Sequence, residues 1–225
     1  MGWRGNLLRR ALATRDLAVT GLSGAAAHQD FELVRRVREQ VPLLVQDTSA
    51  LVLLACARAA ASLGGSMAEA GVYRGGTARL ICEVKGSAKL HLFDVFDSLH
   101  TDAPAPGSHA AEEIRDYFGS FRASSSEVSK LFARDRDVHL HPGVFPGSAS
   151  ALDDERYSFV HLDLDLERGT FDALEYFYPR LLPGGVLIGD DYTMVGIRRA
   201  FDRYFEKLPG RVIGLPWAQA LVTKV

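Results

Sequence analysis

The chain has 225 residues, of which 47% are hydrophobic and 24% charged, and it carries a net charge of −2. That size and balance fit one domain of ordinary length with a full core. The near-neutral charge leaves no electrostatic footprint for nucleic acid, and no run reaches the roughly 18 apolar residues of a membrane span, so neither partner is expected. Cys56 and Cys82 both lie in apolar context and read as buried thiols; two such cysteines make neither a disulfide framework nor a zinc site.

At the N-terminus Arg4, Arg9, Arg10 and Arg15 precede an Ala- and Gly-diluted stretch, Leu17 to Ala27, that loosely mimics a signal peptide. Arg15 and Asp16 stand where its apolar region should be, so a cytoplasmic chain is expected. Residues 1–30 read instead as a basic, partly helical lead-in serving as a lid or dimer arm, and residues 31–225 as a single domain. Phe31 to Gln40 has the spacing of a short amphipathic helix. A second helix, Ala50 to Leu63, is offered N-caps by Asp47, Thr48 and Ser49 and stops at Gly64-Gly65. It is apolar nearly all round, which suits core or the surface of a homodimer.

From Ser66 the pattern alternates. Strands are expected at Met67–Val72, Leu90–Val95 and Val138–His141, then at Phe159–Asp165 and from Gly184 to Gly189. Helices are expected at Ala78–Val84, Phe171–Leu181 and Val195–Leu208. Two closing strands, Arg211–Gly214 and Gln219–Thr223, suit an antiparallel edge. Alternation of this kind implies a doubly wound α/β sheet with right-handed crossovers. Residues 99–130, rich in Pro, Gly and Ser around one short helix at Ala111–Phe121, read as a mobile lid over a site.

Two short apolar runs end in carboxylates: Phe159-Val-His-Leu-Asp163-Leu-Asp165 and Gly184-Gly-Val-Leu-Ile-Gly-Asp190-Asp191. Buried acids are costly unless paired or bound to a metal, and the ends of neighbouring parallel strands are where open α/β sheets place ligands. Asp163, Asp190 and Asp191 therefore suit a hard cation such as Mg²⁺, which could hold and acidify a substrate hydroxyl. Asp165 is open to a cofactor, substrate or scaffold role. His141 and His161 fall late on neighbouring strands, where a hydrogen-bonded structural histidine is the simpler reading. Glu69-Ala-Gly71-Val-Tyr73-Arg-Gly75-Gly76-Thr77 is a strand-to-helix glycine turn without the Gly-x-Gly-x-x-Gly dinucleotide spacing. Asp94, about 20 residues on at the end of the next strand, can accept ribose hydroxyls. Turn and acid together suggest an adenosine-containing ligand without a pyrophosphate.

Five ordered motifs, Glu69–Thr77, Leu92–Ser98, Gly143–Pro146, His161–Asp165 and Pro183 to Tyr192, resemble the macrocin/mycinamicin sugar O-methyltransferase family across residues 30–225. The resemblance implies a Rossmann-like class I methyltransferase: a seven-stranded, mostly parallel sheet with one antiparallel edge strand and helices on both faces. It implies S-adenosylmethionine and Mg²⁺ as cofactors. Glu69 and Gly71 would line the methionine end, Asp94 would hold the ribose, and Val144 and Phe145 would lie near the adenine. Tyr73, Thr77 and Ser98 belong to the same motifs and are expected beside the cofactor. Asp163 would be both metal ligand and general base, with Asp190 and Asp191 completing the metal site. The small-molecule acceptor would be a sugar hydroxyl on a natural product or glycan, or a vicinal diol. The chain departs from the family at Glu167-Arg168, where Tyr-Glu is usual, although Thr170 is kept; residues 99–130 show no match. A nucleotide-sugar glycosyltransferase using Asp163-Leu-Asp165 leaves the glycine turn and Asp190-Asp191 unexplained. A non-catalytic scaffold leaves the intact motifs unexplained.

Overall fold

The structure is a computed structural model that describes residues 23–96, 123–208 and 212–225. The expected Ala111–Phe121 helix, Ser98 and most of the 1–30 and 99–130 segments lie outside the described residues. Seven strands form one sheet: β1 (Ser66–Ala70), β2 (Leu90–Asp94), β3 (Val138–Pro142), β4 (Tyr157–Leu162), β5 (Leu181–Gly189), β6 (Ile213–Gly214) and β7 (Ala220–Thr223). Their order is β3-β2-β1-β4-β5-β7-β6. The first five run parallel; β7 is antiparallel to both β5 and β6. The reversed strand thus lies second from the edge, with two-residue β6 outside it, rather than at the edge itself.

The helices are α1 (Gly24–Gln40), α2 (Asp47–Ala60), α3 (Gly76–Val84), α4 (Ser125–Leu131), α5 (Glu167–Arg180) and α6 (Val195–Phe205). Buried side chains separate into two cores across the sheet. Leu33, Val34, Leu53, Leu54 and Ile81 from α1 to α3 pack with Met67, Leu92, Phe159 and Ile188. On the other face, Leu174 and Phe177 of α5 and Phe201 of α6 pack with Ala68, Ala70, Phe93, Val160 and Leu187. Strands covered on both faces explain why β1 and β4 are buried end to end and read as apolar runs. Among the described residues no helix is long and apolar enough to cross a membrane.

Element ends differ from the sequence expectation where distant partners decide them. α1 starts at Gly24, seven residues early. Asp47 lies within the first turn of α2 rather than capping it from outside, because Arg38 reaches across. The Arg38 guanidinium donates to the carbonyls of Leu43 and Val45 at 2.7 and 2.9 Å and to Asp47 Oδ1 at 2.8 Å. β4 stops at Leu162, so Asp163 and Asp165 sit in the turn beyond it. α4 was not expected; Ser124 caps it by accepting from the Ser126 N–H.

Candidate active site

Because β1 to β5 are parallel, Gly71, Asp94, Gly143, Asp163 and Asp190 all emerge at one edge of the sheet. Among the described residues six non-glycine positions adopt positive φ, and four of them stand in the turns at this edge: Tyr73 (50°), Phe96 (44°), Asp165 (59°) and Asp191 (56°). Each such residue costs roughly 1–3 kcal/mol of strain, which persists only where surrounding structure enforces it and clusters at functional sites.

The turn after β1 is built against the turn after β4. Gly71 has φ +90°, and a Cβ there would lie 1.7 Å from the Asp163 carbonyl oxygen. Its N–H donates to the Phe93 carbonyl at 2.9 Å, and the Asp163 N–H donates to the Ala70 carbonyl at 2.8 Å. Asp94 fastens the same turn. Its Oδ2 accepts from the Val72 and Tyr73 N–H groups at 2.7 and 2.8 Å, and its Oδ1 accepts from the Phe96 N–H at 2.9 Å. Gly75, at φ +87°, then turns the chain into α3, whose first turn carries buried Thr77. Of the residues expected near an adenine, Val144 is exposed, while the Phe145 ring stacks on Phe177 with centroids 5.0 Å apart.

Among the described residues, the group of three acids whose ligand oxygens lie within 4.8 Å of one another is Asp163, Asp165 and Asp191. The trio expected from sequence contained Asp190 in place of Asp165. Asp190 instead turns its Oδ2 to His161 Nε2 at 3.0 Å, while His161 Nδ1 meets Glu69 Oε1 at 2.7 Å. Glu69 and His161 are fully buried. So Glu69, expected to line the methionine end, is engaged inside the sheet by a histidine. The proximity of Asp163 and Asp165 follows from the left-handed turn at Asp165, which a strand continuing to that residue would not have made.

The electrostatics are those of crowded acids. Burial and the neighbouring Asp190 charge hold the Asp163 carboxyl well above the usual carboxylate range, His161 opposing them. Burial and contact with Asp191 push Asp165 up to about 7. Burial raises Glu69 against the pull of His161. For His161, burial favours the neutral ring, but Asp190 and Glu69 outweigh it and raise its pKa well above the ordinary value. A hard divalent cation fits this donor set: among the described residues, three carboxylates with oxygens close enough to share one ion. Beyond Asp191, Thr193, Val195, Arg198, Arg199 and Asp202 line a recess of about 400 Å³. Leu166 and Met194 stand exposed in the turns that carry the acids, and Val195 is exposed at the start of α6.

The sequence profile of the macrocin O-methyltransferase (TylF) family matches residues 53–210. The 8-demethyl-8-(2,3-dimethoxy-α-L-rhamnosyl)-tetracenomycin-C 4'-O-methyltransferase of Streptomyces olivaceus is 31% identical over 154 residues, covering 62% of this chain and 58% of the relative. Mycinamicin III 3''-O-methyltransferase of Micromonospora griseorubida is 31% identical over 99 residues, 44% of this chain and 39% of that one. The matches thus span less than two thirds of these relatives' lengths. Among solved structures, the O-methyltransferase NovP superposes with a TM-score of 0.66 at 23% identity, covering 77% of this chain and 78% of NovP. Podospora anserina methyltransferase PaMTH1, solved with S-adenosylhomocysteine (SAH) bound, superposes with a TM-score of 0.58 at 14% identity over 100% and 98% of the two chains. The chain belongs to the macrocin O-methyltransferase (TylF) family.

Proposed function

We propose that the protein is an S-adenosylmethionine-dependent, Mg²⁺-dependent O-methyltransferase acting on a hydroxyl of a sugar moiety carried by a natural product. The observation that carries this reading is the seating of the Asp163–Asp165–Asp191 group directly against the Gly71 turn that Asp94 fastens. A cofactor turn and a cation-type acid cluster share one sheet edge. The name of the Streptomyces olivaceus relative, an O-methyltransferase of a rhamnosyl-bearing tetracenomycin, supports the sugar acceptor, and the SAH-bound neighbour supports the cofactor.

In this assignment S-adenosylmethionine supplies a methyl group already activated on sulfonium, and Mg²⁺ supplies a Lewis-acid contact that acidifies the acceptor hydroxyl. The protein's tasks are alignment and proton removal. Asp94, through the 72–73 turn, fixes the backbone that would face the nucleoside. Asp163 and Asp191 would hold the cation. Asp165 would accept the acceptor's proton, since a carboxylate whose lone pair is given to a cation is the poorer base. This departs from the expectation that Asp163 does both. The polar lining of the recess beyond Asp191 suits a sugar, and the exposed Leu166, Met194 and Val195 suit an apolar body attached to it.

The test is incubation with S-adenosylmethionine, Mg²⁺ and panels of glycosides and catechols, read by mass spectrometry. Transfer of one methyl group to a glycoside, suppressed by EDTA, is expected. Full activity in EDTA removes the metal from the scheme, methylation confined to catechols removes the sugar, and failure to bind SAH at high micromolar concentration removes the enzyme reading.

A further inference from the structure

We propose that His161 couples the two halves of the site, linking the Glu69 carboxylate near the end of β1 to the Asp190 carboxylate beyond β5, so that cofactor and cation each change the affinity for the other. The proposal rests on the cofactor and cation reading above. His161 lies at the centre of a three-strand register, opposite Glu69 on β1 and Ile188 on β5. Its side chain has no solvent exposure, and both ring nitrogens are committed, to Glu69 Oε1 at 2.7 Å and to Asp190 Oδ2 at 3.0 Å.

A satisfied structural histidine needs one good partner for each nitrogen; this one has two acids, each attached to a different part of the site. Among the described residues Glu69 Oε2 is buried without a close hydrogen-bond partner, so the short bond from Oε1 to His161 anchors the carboxylate, with Thr77 acting on it from beside the turn. Glu69 is two residues from Gly71 and the turn that Asp94 fastens. Asp190 directly precedes Asp191, and its N–H is fixed to the Leu162 carbonyl at 2.8 Å. Held at both nitrogens inside the sheet, the ring cannot shift without moving the Glu69 and Asp190 carboxylates with it. A cation that draws the acids beyond β4 and β5 into place fixes Asp190, through it the ring, and through the ring Glu69. His161 is thus a positioning residue, and its effect is positive coupling between the ligands.

The test is calorimetric titration of the full chain with SAH, with and without saturating Mg²⁺, and the reciprocal titration. The wild type should bind SAH about 5-fold or more tighter with Mg²⁺, and the reciprocal titration should return the same factor, as linkage requires. In His161→Gln, whose amide can engage one carboxylate at a time, both ligands should still bind but the factor should fall below about 2. Independent binding in the wild type, or undiminished coupling in His161→Gln, overturns the proposal; absence of SAH binding in either condition overturns the reading beneath it as well. If His161→Gln does not fold, ¹⁵N-histidine spectra of the wild type decide. The His161 ring nitrogens should shift during both the Mg²⁺ and the SAH titrations, and a response to one or neither overturns the coupling.

Discussion

Gly71 and Asp163 meet backbone to backbone, with room for no side-chain atom at position 71: a Cβ would fall 1.7 Å from the Asp163 carbonyl oxygen. The turns after β1 and β4 are therefore one packed unit. Gly71→Ala should cost about 3 kcal/mol or more in urea denaturation, since it adds left-handed strain to a backbone clash. SAH and Mg²⁺ affinities should fall together. Gly147→Ala, where a Cβ meets nothing within 4 Å, should stay within about 0.5 kcal/mol of wild type. Equal stabilities for the two variants would contradict the contact.

Asp163 and Asp165 should separate by role. Asp165→Asn is expected to lower kcat by about 100-fold or more, the scale of a lost proton acceptor, while Mn²⁺ titration followed by electron paramagnetic resonance shows the ion still bound. Asp163→Asn should lose the ion. If Asp165→Asn keeps its kcat, the proton goes elsewhere.

Without metal, the acid cluster should make the protein less stable as pH rises. The Asp163 and Asp165 carboxyls are raised above their unfolded values, Asp165 to about 7. Between about pH 4 and 7 the folded chain thus holds protons that the unfolded chain has released, and the linkage slope is negative. Mg²⁺ relieves the repulsion, so its stabilising shift in thermal unfolding should be larger at pH 8 than at pH 5. A shift equal at the two pH values would count against the cluster as the site.

A second histidine assembly should act in the opposite sense. His91 is buried against His141, Nδ1 to Nε2 at 2.9 Å, with His139 stacked 5.3 Å away. Burial, then the His141 charge, lowers its pKa to about 4, against some pull from Glu155. The unfolded chain therefore takes up a proton as pH falls through 6.5 while the folded chain does not, and stability on the order of 2 kcal/mol should be lost by pH 4. His91→Phe keeps a ring in the stack and should flatten that loss in urea denaturation at pH 7 and pH 4.5.

What the sequence made legible was what local pattern dictates. Buried runs at Phe159 and Val186, and the acids at their ends, located the sheet edge where the acids gather before any contact was known. The sheet's reversed strand could be expected from two short closing runs, but not its place inside β6, which depends on pairing with β5. The gathering of Asp165 beside Asp163 and Asp191 was hidden for the same kind of reason. It follows from a left-handed residue at 165 and from strand order placing His161 between Glu69 and Asp190, and neither is local. α4 did leave a signal: Ser124-Ser-Ser-Glu127 has capping-box spacing, masked by the polar, serine-rich run around it.

An ionised carboxylate offers about four lone-pair sites, and Asp94 already spends three of them on the N–H groups of Val72, Tyr73 and Phe96. Among the described residues that leaves one site for a ribose that brings two hydroxyls to this acid. Either a single hydroxyl bonds there, or the second displaces a backbone donor and loosens the 72–73 turn. Nucleoside recognition would then be felt mechanically at Gly71, and through it at the Asp163 turn, before any methyl group moves.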